Sequence, residues 1–94
     1  MEVNKIITDA AKIIKKNARP QSVVLFGSWT NNTALPTSDI DIGILDKQKI
    51  PFSVMIKIKQ EIENIPTLRS IDIVDLNAVD DRFKKYALIH AKKI

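Results

Sequence analysis

A small α/β (α+β) domain, with helices packed on a mixed sheet of three or four strands, is the fold class this sequence predicts. Three observations lead there. Val3, Ile6, Ile7, Ala10, Ile13 and Ile14 repeat at the i, i+3, i+4, i+7 spacing of one buried helix face. Ser22-Val23-Val24-Leu25-Phe26 is a short, continuous apolar run rich in β-branched residues, as expected of a strand covered on both faces. From Ser38 to Leu45, Asp39, Asp41 and Gly43 alternate with Ile40, Ile42 and Ile44, which is the period of a strand with one apolar side. Helical and extended patterns that follow one another along the chain favour a sheet with helices laid on it.

Each element can be placed in turn. The first helix should end near Asn17–Pro20, because proline disfavours helical backbone in the residue before it. The first strand follows and is stopped by Gly27-Ser28, after which a short helix can be accommodated. Residues 29–37 are polar, with Asn31-Asn32 and Pro36 as turn material. The alternating strand comes next, then a loop over Asp46–Pro51. Met55, Ile58, Ile62 and Ile65 mark a second helix closed near Pro66, and Ile71–Leu76 reads as a third strand. Asp80–Ile94 reads as a last helix carrying Phe83, Tyr86, Ala87 and His90 on one stripe, with Asp80 and Asp81 as its N-terminal acids.

With 94 residues the chain has room for one domain, residues 1–94. No apolar run approaches membrane-spanning length, and the N-terminus lacks a signal-peptide layout, so a cytoplasmic location is expected. The absence of cysteine excludes disulfides and thiolate metal sites. The net charge of +4 is concentrated near the two ends, at Lys5, Lys12, Lys15, Lys16 and Arg19 and at Lys84, Lys85, Lys92 and Lys93. Such charge can attract an anionic partner, be it nucleic acid, nucleotide or an acidic protein, but lysines spaced opposite an apolar stripe are what solvated helix faces look like and need no partner.

The chemistry-bearing residues lie between the two glycines and in the third strand. Residues i and i+2 of a strand point the same way, about 6.5–7 Å apart, so the Asp39 and Asp41 carboxylates can lean toward one another. Two carboxylates so close repel, and a divalent cation between them removes that penalty. Gly27 ends the first strand where the backbone must turn and can approach a ligand. Gly43 either leaves space beside the carboxylates or marks a bulge or close packing. The Ser28 hydroxyl and neighbouring N–H groups can face an anion, or can serve as a plain helix cap. Asp72 lies among apolar neighbours in Ser70-Ile71-Asp72-Ile73-Val74-Asp75, where an unpaired carboxylate is costly. Asp72 and Asp75 point to opposite faces, and Asp72, deeper in the run, is the better candidate to meet Asp39 and Asp41; Asp75 can be solvated.

Val24-Leu25-Phe26-Gly27-Ser28, a ten-residue gap and Asp39-Ile40-Asp41-Ile42 together resemble the signature of polymerase-β-like nucleotidyltransferases. The short chain and the segment ending Pro36-Thr37-Ser38-Asp39-Ile40-Asp41 resemble in particular the minimal nucleotidyltransferases, and the element order matches along nearly the whole chain. The resemblance implies a nucleotidyltransferase fold. It implies that Gly27, Ser28 and Ser38 bind a nucleoside triphosphate, expected to be ATP. It implies that Asp39, Asp41 and Asp72 are catalytic and hold Mg²⁺ or Mn²⁺, and that Asp72 helps deprotonate an acceptor hydroxyl. The implied reaction moves a nucleoside monophosphate, AMP in the first instance, and releases pyrophosphate. Such minimal domains lack a substrate-holding domain, so the resemblance also implies a small helical partner of the HEPN type and the antitoxin role in a toxin–antitoxin pair. One departure is plain: where the family usually carries Ala-Arg-Gly after Gly-Ser, this chain has Thr30-Asn31-Asn32. The alternative is therefore a catalytically weak nucleotide-binding module that acts by docking to a helical partner.

The remaining residues carry less. His90, the single histidine, can contact nucleotide, but on a helical apolar stripe it reads rather as packing or a helix-end charge. Trp29 can stack on a base, or can equally anchor the loop or a partner interface, and Tyr86 reads as packing at the core edge. Nucleic acid is not the expected partner, since acids gathered on one strand face repel phosphate without a metal. The acceptor, the base preference and any homo-oligomer are left open.

Overall fold

The computed structural model describes residues 3–30 and 39–94. Helix α1 (Val3–Ala18) leads into strand β1 (Ser22–Phe26), followed by one 3₁₀ turn at Gly27–Trp29. Strand β2 (Ile40–Leu45), helix α2 (Phe52–Glu63), strand β3 (Ile71–Asp75), helix α3 (Asp81–Leu88) and strand β4 (Lys92–Lys93) complete the order. The sheet runs β3-β2-β1-β4. It is mixed: β1 is antiparallel to both β2 and β4, while β2 and β3 are parallel. A parallel pair requires a crossover, and α2 supplies it.

The strand period divides the core in two. Val23, Leu25, Ile40, Ile42, Ile44 and Ile73 face one side, where α1 contributes Ile6, Ile7, Ala10 and Ile14 and α2 contributes Ile58 and Ile62. The opposite side holds a smaller cluster of Val24, Phe26, Leu76 and Ala87, with α3 laid over it. β1 is thus buried on both faces, as its unbroken apolar run predicts. The helix ends follow local rules. Lys15 and Lys16 sit in the last turn of α1, where cations favour the helix dipole. Arg19, with φ 48°, turns the chain out and donates its N–H to the Lys15 carbonyl at 3.2 Å. Lys16 and Asn17 both bond Glu61, tying α1 to α2. Asp80 caps α3 by accepting the Phe83 N–H at 2.8 Å.

One sequence expectation is overturned. The last helix does not run from Asp80 to Ile94 but stops at Leu88, and Lys92 and Lys93 pair with Leu25 and Val24 as an edge strand. The open side of β1 offers buried backbone groups that must be paired, and the chain end satisfies them. The Ile94 N–H extends the ladder to the Val23 carbonyl at 2.9 Å. Among the described residues no helix is long and apolar enough to cross a membrane.

Candidate active site

β2 and β3 run parallel in a register that sets Asp41 opposite Asp72, while β1 runs antiparallel with Phe26 opposite Asp41. The end of β1, the start of β2 and the start of β3 therefore meet at one edge of the sheet. A cavity of about 600 Å³ opens there, lined by Gly27, Ser28, Asp39, Asp41 and Asp72 on its polar side. Its apolar side is Phe26, Ile73, Val74, Phe83 and Tyr86. Five of the six residues that the sequence nominates thus come to one cavity; Ser38 lies outside the described residues.

The three carboxylates differ in setting. Asp39, just before β2, and Asp72, on β3, are exposed, whereas Asp41 between them is half-buried. The Asp41 carboxyl is pushed above its ordinary value of 3.8, chiefly by burial, then by the charges of Asp72 and Asp39, and by a hydrogen bond with Asp72. Among the described residues no three His, Cys, Asp or Glu side chains form a group arranged to hold a metal ion.

Gly27 belongs to the same arrangement. Its φ is +79°, a region that L side chains rarely adopt, and a β-carbon there would run into the Asp41 carboxyl group. Its carbonyl accepts both the backbone N–H and the hydroxyl of Thr30, which fixes the turn. Ser28 lies within that turn, whose preceding residue, Phe26, makes no side-chain cap.

Other expectations change. Gly43 is not leaving room for the acids: a β-carbon there would come within 2.5 Å of Leu76 Cδ1 and 3.2 Å of Val24 Cγ2, so close packing decides that position. Asp75 is not simply solvated. Its carboxylate accepts the Ile50 N–H at 2.7 Å, the Asn77 N–H at 2.9 Å and the Asn77 side-chain amide at 2.7 Å. Trp29 packs against the larger core, with the Arg69 guanidinium 5.4 Å above its ring, and does not line the acid-bearing cavity. Tyr86 is 64% exposed rather than packed at a core edge. His90 is exposed beyond the end of α3 rather than on a helical stripe. Phe83 and Tyr86 were not legible as cavity residues. Their spacing marks a helix face, and only the position of α3 on the sheet says what that face meets.

The family model described as "Polymerase beta, Nucleotidyltransferase" matches residues 8–94. MJ0126 of Methanocaldococcus jannaschii, provisionally named a protein adenylyltransferase, is 24% identical over 93% of this chain and 88% of its own length. A crystal structure described as a toxin–antitoxin with AMP-PNP superposes with TM-score 0.74 at 26% identity, over 99% of this chain and 72% of that one. A protein provisionally described as a minimal nucleotidyltransferase shares the fold, with TM-score 0.73 at 20% identity, over 100% of this chain and 97% of that one.

Proposed function

Since the chain belongs to the polymerase β nucleotidyltransferase family, we propose that it is a metal-dependent adenylyltransferase that modifies a protein partner. The observation that carries this reading is the meeting of Gly27 with Asp39, Asp41 and Asp72 in one cavity, where burial first and then the neighbouring charges of Asp72 and Asp39 raise the Asp41 carboxyl. Such crowding is relieved by a cation, and the donor set of Asp39, Asp41 and Asp72 is oxygen only, which suits Mg²⁺ or Mn²⁺. The ion, when bound, neutralises charge on the triphosphate and on the oxygens that attack and leave.

The chain's own residues do the rest. Ser28 donates its hydroxyl to a phosphate oxygen, and Gly27, without a side chain, lets the phosphates approach Asp41. Asp72, exposed at the cavity wall, accepts the proton of the acceptor hydroxyl. The acceptor oxygen bonds to the α-phosphorus as the bond from that phosphorus to the β-bridging oxygen breaks, and pyrophosphate departs. The acceptor is proposed to be a hydroxyl of a small helical partner of the HEPN type, silenced by the AMP it receives, so that this chain is the antitoxin. Support comes from the protein-adenylyltransferase name of MJ0126 and the toxin–antitoxin with AMP-PNP that this chain resembles.

Incubation with Mg²⁺, labelled ATP and the product of the neighbouring gene tests the proposal. Transfer of label to that protein, lost in Asp41→Asn, is expected. No transfer by the wild type, with Asp41→Asn behaving identically in every assay, overturns it. Thr30-Asn31-Asn32 in place of the family's arginine-bearing turn favours a second reading, a nucleotide-binding module that works by docking. An Asp39→Asn, Asp41→Asn double variant that still neutralises the partner fully would establish that reading instead.

A further inference from the structure

Beside the acid-bearing cavity lies a smaller one of about 240 Å³ that the proposed reaction leaves without a role. Thr30, Ala87, Ile89 and His90 line it, and it shares Gly27 and Tyr86 with the larger cavity. Gly27 contributes no side chain to this boundary. Tyr86 stands at the junction with most of its surface in water. Its ring lies 6.5 Å from that of Phe83, which is itself set edge-on to Phe26 at 6.1 Å. The inner aromatic pair is fixed by packing, while the outer ring keeps surface free for a further flat group.

We propose that the smaller cavity receives the nucleobase, with Tyr86 stacking on the ring and His90 hydrogen-bonding its edge, so that these two residues set affinity for the base and preference among bases. The inference rests on the reading of the acid-bearing cavity as the triphosphate site. A nucleotide is charged at one end and flat with apolar faces at the other; the larger cavity carries all three acids and the smaller one none, and the two meet at Gly27 and Tyr86. The smaller volume lies below the range of about 300–1,000 Å³ that encloses a drug-sized ligand, so it suits a ring rather than a whole nucleotide. Stacking on Tyr86 serves any base, whereas the imidazole of His90 offers a donor and an acceptor that distinguish one base edge from another.

Calorimetric binding of Mg²⁺-ATP, Mg²⁺-GTP, Mg²⁺-CTP and inorganic tripolyphosphate to wild type, Tyr86→Ala, Tyr86→Phe and His90→Ala tests this. Tyr86→Ala is expected to weaken ATP by about 5- to 150-fold, the range for loss of one base–aromatic stack. It should leave tripolyphosphate at the wild-type level, and Tyr86→Phe should restore ATP binding. His90→Ala should narrow the differences among the three nucleotides. Both side chains are exposed, so melting temperatures should coincide. Tyr86→Ala binding ATP as tightly as wild type, or losing ATP and tripolyphosphate in equal proportion, overturns the proposal. A wild type that binds ATP no more tightly than tripolyphosphate overturns the base pocket while leaving the triphosphate site standing. A wild type that binds neither removes both.

Discussion

The backbone of Gly27 closes on the Asp41 carboxyl group so tightly that no β-carbon fits between them. Gly27→Ala therefore carries two costs. An L residue at φ +79° is strained by about 1–2 kcal/mol, and the Asp41 carboxyl must shift to make room. A fall in melting temperature of about 4–16 °C is expected from the strain, and weaker Mg²⁺-ATP binding from the displaced Asp41 carboxyl. Thermal melts and calorimetry on one preparation check both, and wild-type values for both would mean that Asp41 yields freely.

The crowding of Asp41 has a pH signature in metal-free protein. Its carboxyl is raised above 3.8 by burial first and by Asp72 and Asp39 next. A raised folded-state pKa means that its contribution to stability is fully present below 3.8 and is lost as pH rises through the raised value. Asp41→Asn has no such loss. Its melting temperature should gain on that of the wild type as pH rises above 3.8, and added Mg²⁺ should close the gap by stabilising the wild type. A gap that is constant with pH would contradict the crowding.

Asp72 and Asp75, two aspartates on one strand, should separate cleanly by assay. Asp75→Ala strips partners from the Ile50 and Asn77 N–H groups and is expected to cost about 2–3 kcal/mol. Its Mg²⁺-ATP affinity should remain near wild type. Asp72→Asn should leave denaturant stability unchanged or slightly higher, while lowering Mg²⁺-ATP affinity by at least about tenfold. Urea titrations and binding isotherms on the two variants decide the assignment, and a reversed pattern would move the acid role to Asp75.

Gly43 should respond to volume alone. Gly43→Ala forces a methyl group against Leu76 and Val24 and is expected to destabilise by about 1–3 kcal/mol. Leu76→Ala, at a fully buried side chain, should cost about 2–5 kcal/mol. The double variant should lose less than the sum by at least about 0.5 kcal/mol, because the new methyl enters the space that Leu76 vacates. Strict additivity in a double-mutant cycle would show that the contact does not govern this position.

What the sequence disclosed was whatever its own period encodes. The helical repeat of Ile6, Ile7, Ala10 and Ile14 and the alternation of Ile40, Ile42 and Ile44 are burial patterns written directly into residue order. Asp41 and Asp72 could be nominated because an acid among apolar strand residues needs a reason. β4 could not be found: Lys92-Lys93 has no strand character of its own, and its pairing is dictated by the open side of β1, which lies far away along the chain. The helical stripe that ends at His90 misled for the same reason, since edge pairing overrides a local pattern. The role of Gly43 was equally hidden, because Leu76 reaches it only through the parallel β2–β3 register. Exposure of Tyr86 likewise depends on how α3 is laid on the sheet.

The unequal division of the core has an evolutionary consequence. Among the described residues, the broad cluster beneath α1 and α2 holds most of the buried aliphatic side chains, while the cluster on the side bearing the acids is the small group Val24, Phe26, Leu76 and Ala87. Residues along the outer surface of α3 can then diverge without eroding the scaffold, so lineages can trade one ligand for another by drift on that single helix. A randomised library at positions 82 and 86 of α3, and at 89 and 90 just beyond its end, should return mostly folded proteins with scattered preferences.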